Sequence, residues 1–190
     1  MAILITFFPW IVFWTFLSMK RVEYAFLLGL ACAVAVVGLS LIRRQSLKIL
    51  QLGTLAFFIL GSIALLFVSQ RTLGHWGNFL GSFTLLLVAV FSMLIKQPFT
   101  MGYARDSVPE QLWHDPGFIH TNYVLTSCWA AAFLVNSCFG LANMKLKEPL
   151  WVSWTITLVL FGTAYAFTHL YTLRVRKRRA STQQAPAEAS

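Results

Sequence analysis

The sequence predicts an all-α fold: a polytopic transmembrane helical bundle of about six segments, with full or partial insertion of the first left open. Three observations lead there. The 190-residue chain is 58% hydrophobic and only 11% charged, against roughly 45–50% and about 25% for soluble domains. Its apolar residues form continuous runs, whereas a membrane barrel alternates apolar and polar positions. The runs also approach the about 20 residues that a helix needs to cross a bilayer.

The segments are 3–18, 25–42, 49–69, 79–95, 118–142 and 150–173. The first is short and carries Pro9, which removes a helix hydrogen bond. A signal peptide is disfavoured there, because no basic residue precedes the apolar core and no small-x-small site follows. A half-inserted helix near the interface is the remaining alternative. Gly29 with Ala33 in the second segment, and Gly53 with Gly61 in the third, allow close helix approach. Residues 1–179 form one transmembrane domain with a connecting loop at 96–117, and 180–190 lack the apolar content to fold and read as a disordered tail.

The net charge of +9 invites a nucleic-acid reading, but its placement argues against one. Arg174, Arg176, Lys177, Arg178 and Arg179 follow the last segment, and Arg43, Arg44 and Lys48 flank the second and third. Such clusters beside spans set orientation and touch anionic lipid. With six spans, the side holding both termini carries ten of the fifteen Lys and Arg residues and the other side five. That bias puts the C-terminus and the 96–117 loop in the cytoplasm. The partners expected are the lipid bilayer and other membrane proteins, with no nucleic acid.

Cys32, Cys128 and Cys138 lie inside apolar runs, where cysteine behaves as a small hydrophobe. Cys128 and Cys138 are about 15 Å apart along one helix, too far to bridge. Trp10, Trp14, Trp76, Trp113, Trp151 and Trp154 fall near segment ends, as an interfacial aromatic belt would place them.

The longest polar interruption runs from Lys96 to Pro116. It holds three of the six prolines and three of the six acids, Asp106, Glu110 and Asp115. Ser107-Val-Pro-Glu110 fits a capping box opening a short helix, with Pro109 in its first turn. Asp115-Pro116 reads as the N-cap and first residue of the fifth segment. Capping leaves Pro98-Phe99-Thr-Met-Gly-Tyr103-Ala-Arg105 unexplained, so that stretch is the first candidate contact surface. In the fifth segment Asn122, Thr126, Trp129, Phe133, Asn136 and Gly140 share one helical face. Polar groups in hydrocarbon need partners, so this face should point into the bundle. Interhelical bonding and a solute path are its two readings.

No cofactor and no metal is expected. His75 falls on the side opposite His114, His120 and His169, and no His-Glu-x-x-His spacing occurs. No GxSxG, phosphate loop or paired intramembrane carboxylate supports catalysis, and the near absence of intramembrane charge argues against ion-coupled transport.

Phe7-Phe8-Pro9-Trp10-Ile-Val-Phe13, the Lys96-Gln97-Pro98-Phe99 loop opening, and the series Pro109, Trp113, Asn122, Trp129, Phe133, Asn136 together resemble the bacterial intracellular septation protein A family or a related, uncharacterised branch of inner-membrane proteins. The likeness extends over about Phe7 to Arg174. It departs at His114-Asp-Pro-Gly-Phe118, which separates Trp113 from Asn122. The resemblance implies a multi-pass protein of the bacterial inner membrane, linked to cell division and envelope synthesis, with no catalytic residues to carry over.

The leading expectation is therefore a non-enzymatic inner-membrane scaffold for envelope or division proteins. The alternative is a small-solute transporter or channel using the polar face of the fifth segment. The candidate interaction or bundle-core residues are Pro98, Phe99, Tyr103, Arg105, Trp113, Asn122, Trp129 and Asn136.

Overall fold

A computed structural model describes residues 2–146 and 150–184. It is 86% helix and contains no strand among the described residues. The α-helices are α1 (Ala2–Ser18), α2 (Val22–Ile42), α3 (Ile49–Ala64), α4 (Gln70–Leu94), the short α5 (Phe99–Ala104), α6 (Pro116–Leu146) and α7 (Leu150–Gln184).

The long helices alternate in direction. Gly29 faces Phe58 while Gly61 faces Phe26, which pairs α2 and α3 head to tail. Asn136 meets both Ser82 and Thr157, and Tyr123 meets Met93, so α6 runs against α4 and α7. The N-terminus of α1, the α4–α6 connection and the C-terminus of α7 consequently share one end of the bundle.

Four helices, α2, α4, α6 and α7, are long and apolar enough to cross a membrane, fewer than the six segments expected. The other two have 17 and 16 residues. At 1.5 Å per residue α3 is about 24 Å long, against a hydrocarbon core of about 30 Å. The outward faces carry apolar side chains such as Leu27, Val34, Leu60, Phe91, Leu158 and Val159. Such a surface suits lipid rather than water.

Segment boundaries differ from expectation where polarity masks a helix. α4 starts at Gln70 rather than 79, because Ser69 caps it: its Oγ accepts from the Thr72 N–H at 3.3 Å. Helix α7 continues to Gln184, five residues into the stretch expected to be a tail, while residues 185–190 lie outside the described set.

Three helices end in the same way. Lys20, Arg44 and Lys96 adopt left-handed φ values of 58°, 53° and 57°. After each, the next amide reaches back five residues: Arg21 to Phe16, Gln45 to Ser40, and Gln97 to Ser92. This is the Schellman arrangement, which satisfies terminal carbonyls and turns the chain.

Helix α1 packs against α2, α3 and α4, and Trp10 and Phe13 are fully enclosed. Trp10 donates from Nε1 to Thr54 Oγ1 at 3.0 Å and packs its ring on Phe57 and Phe58, with centroids 4.8 and 5.2 Å away. Trp10 and Trp14 therefore belong to the core and not to an aromatic belt, whereas Trp76 is exposed and Trp113 and Trp154 half-buried. The Trp151 side chain lies outside the described set.

Candidate functional site

The Asp115-Pro116 start of α6 forms as expected: Asp115 Oδ1 accepts the Phe118 N–H at 2.7 Å. The Ser107–Glu110 capping box does not. Val108 is extended, with φ −133° and ψ 136°, and separates two 3-10 turns at Arg105–Ser107 and Glu110–Leu112. The cause is local: Pro109 disfavours helical backbone at the residue before it.

The α4–α6 connection is tied down along its length. Pro98, Phe99, Thr100 and Met101 are buried, so the first half of the expected contact surface is an anchor. Ser92 Oγ accepts the Phe99 N–H at 3.0 Å. Tyr103 donates to Thr6 Oγ1 at 2.9 Å on α1. Burial pushes the Tyr103 hydroxyl pKa up, and nearby Asp106 adds to the rise. Arg105 lies over the Trp113 ring, 5.2 Å from its centroid, while Trp113 Nε1 donates to the Val108 carbonyl at 3.1 Å. Beyond these anchors Asp106, Pro109, Glu110, Gln111, Leu112 and His114 face outward.

Lys48 holds the connection from the other side. Its Nζ is 2.7 Å from Asp106 Oδ1 and 3.1 Å from Ser46 Oγ. Its side chain is only 5% exposed. Its backbone N–H donates to Gln51 Oε1, and Gln51 Nε2 donates to Ser40 Oγ. Sequence reasoning saw Lys48 only as one charge of a basic cluster. The available signal was its position directly before an apolar helix, which makes it the N-cap residue of α3.

On α6, Asn122, Thr126, Trp129, Phe133, Asn136 and Gly140 are all buried. They do not form one polar path. Near the connection, Thr100 Oγ1 donates to the Asn122 carbonyl at 3.0 Å and shares a 2.9 Å hydrogen bond with Thr126. The Asn122 amide donates to the Phe118 carbonyl, and its Oδ1 is buried without a partner. Toward the other end, Asn136 Nδ2 donates to Ser82 Oγ at 2.7 Å, and Thr157 donates to Asn136 Oδ1 at 2.9 Å. One residue thus cross-links α4, α6 and α7. Between these two layers lies an aromatic one. Phe7 stacks on Trp129 at 5.1 Å, and Phe161 packs on Trp129 and Phe133 at 5.9 and 5.5 Å. Trp129 Nε1 is held by Thr168 Oγ1 at 3.1 Å.

Thr100 lies in the singled-out stretch 98–105, whereas the partners Ser82, Thr157 and Thr168 were not picked out from the sequence. Their signal was weak, since single hydroxyls in apolar runs also bond back to their own helices, as Thr163 does to the Val159 carbonyl. Among the described residues no group of three or more His, Cys, Asp or Glu side chains could hold a metal ion.

The fold and site define a helical protein whose four long apolar helices suit a membrane. No family model, curated protein or solved structure matches the chain.

Proposed function

We propose that this protein is a non-enzymatic scaffold of the bacterial inner membrane, with its C-terminus in the cytoplasm, which presents the α4–α6 connection to other membrane proteins. The observation that carries this reading is the anchoring of that connection. Lys48–Asp106, Tyr103–Thr6, Thr100–Thr126 and Arg105–Trp113 together fix an outward surface of Asp106, Glu110, Gln111, Leu112 and His114. A surface ordered before binding loses less conformational entropy when a partner arrives. The cytoplasmic side follows from the Lys and Arg bias, and the division or envelope setting from the septation protein A likeness alone.

The candidate polar groups of α6 support a structural role, because Asn136, Thr126 and Trp129 are committed to interhelical hydrogen bonds. The transport alternative fits the geometry less well, since the Phe7–Trp129–Phe133–Phe161 layer crosses the face that would line a path.

A photo-crosslinking residue at Leu112, used in intact membranes, tests the reading. Specific adducts with one or a few membrane proteins are expected, and Glu110→Arg should reduce them. Adducts no more specific than those from exposed Leu66 would overturn the scaffold. Solute flux in liposomes that falls with Asn136→Leu would favour transport instead.

A further inference from the structure

At the end of the bundle opposite the α4–α6 connection, four helices splay around a partly open cavity of about 210 Å³. Its wall draws on the last turns of α1 and α6 and the first turns of α4 and α7. Trp154 supplies aromatic surface, with only an edge of Trp14 reaching the wall, and His75, Asn78, Asn143 and Ser153 supply polar groups. Among the described residues the lining contains no Asp, Glu, Lys or Arg.

The polar groups are arranged rather than scattered. Asn143 Nδ2 donates to Ser153 Oγ at 2.9 Å, which leaves the Ser153 O–H to donate onward. Thr157, also in the lining, passes its proton to Asn136 and so offers its oxygen lone pairs. Asn78 is half-buried, and its amide enters no hydrogen bond with another described residue. Neither helix capping nor the Asn136 cross-link calls for His75 and Asn78.

We propose that this cavity binds one neutral, hydroxyl-rich ring of single-sugar size. The volume fits: a cavity of roughly 150 Å³ takes a benzene-sized molecule, and the additional space here accommodates ring hydroxyls. The half-buried Trp154 indole covers the apolar face of such a ring, while amide, imidazole and hydroxyl groups pair with its rim. The described lining residues favour neutral over ionised ligands, because among them a charge taken from water finds no counter-charge. The same ring could arrive as a free sugar or as the headgroup of a neutral glycolipid. This site is independent of the scaffold surface at the other end.

The test uses the full chain in phosphatidylcholine nanodiscs. One arm measures equilibrium dialysis of radiolabelled neutral monosaccharides. The second uses native mass spectrometry to follow retention of a monoglycosyl diacylglycerol against phosphatidylglycerol. Binding in the first arm assigns a free sugar, and selective retention in the second assigns a headgroup. In either case His75→Phe and Asn78→Leu should each weaken binding about tenfold, the effect of one lost hydrogen bond. Both positions are partly exposed, and helical circular dichroism establishes that each variant folds. The exposed Thr163→Val serves as the unaffected control. Binding in neither arm, preference for phosphatidylglycerol, or affinity unchanged in both folded variants would overturn the proposal.

Discussion

Removing the carboxylate of Asp106 should cost the fold more than removing the ammonium of Lys48. The two groups are 2.7 Å apart, but Lys48 is 5% exposed and Asp106 36%. At that separation the gross attraction is about 6 kcal/mol with an effective dielectric near 20, and much of it is offset by dehydrating the lysine. Asp106→Ala strands the enclosed ammonium with Ser46 as its remaining hydrogen-bond partner. We expect a loss of about 3 kcal/mol, typical of breaking a buried pair from one side. Lys48→Met retains the stem that packs near Gly102, and the partly exposed carboxylate regains water, so its cost is about 1 kcal/mol. The double variant should resemble Lys48→Met rather than the sum of the two, giving a coupling of about 3 kcal/mol. Reversible denaturant unfolding of all four proteins in one detergent measures the cycle. Equal single losses with an additive double variant would refute this account of the connection.

Two further outcomes follow from the packing and burial. A methyl group at Gly140 would sit 3.1 Å from the Phe79 backbone nitrogen and 3.2 Å from its Cα. Gly140→Ala should therefore push α4 from α6 and lower stability by about 1–3 kcal/mol; an unchanged unfolding midpoint would contradict the close approach. Tyr103 has its pKa raised from 10.0 by burial. Above pH 10 the unfolded chain loses this proton while the folded chain keeps it, so stability is full below that value and falls as pH rises through the folded pKa. Ultraviolet difference titration of Tyr103→Phe against the parent should show this phenol ionising last; ionisation near pH 10 would place Tyr103 in water.

Helix existence was legible in the sequence because the apolar runs are long. Helix ends were legible only where a capping pair was intact, as at Asp115-Pro116. The first turns of α4 were hidden, since Arg71, His75 and Asn78 depress the hydropathy that marks a span. The position of α1 could not be read either. Pro9 and its short length leave full or partial insertion open, and the sequence gives no sign that Trp10 finds its acceptor at Thr54, 44 residues away. The face of α6 was visible from its spacing alone. Its division into two hydrogen-bonded layers was not, because that depends on where Ser82, Thr100 and Thr157 arrive from other helices.

The left-handed helix ends at Lys20, Arg44 and Lys96 tie two properties to single residues. Glycine would suit each backbone better, relieving about 1–2 kcal/mol per site. It would also delete a positive charge beside the bundle, where charge sets orientation. Local conformational ease and global orientation therefore select opposite residues at Arg44 and Lys96, whereas at Lys20, on the other side of the bundle, both favour losing the charge. Stabilising the Arg44 and Lys96 turns by glycine substitution should yield sturdier helix ends in a chain that inserts with less certain direction.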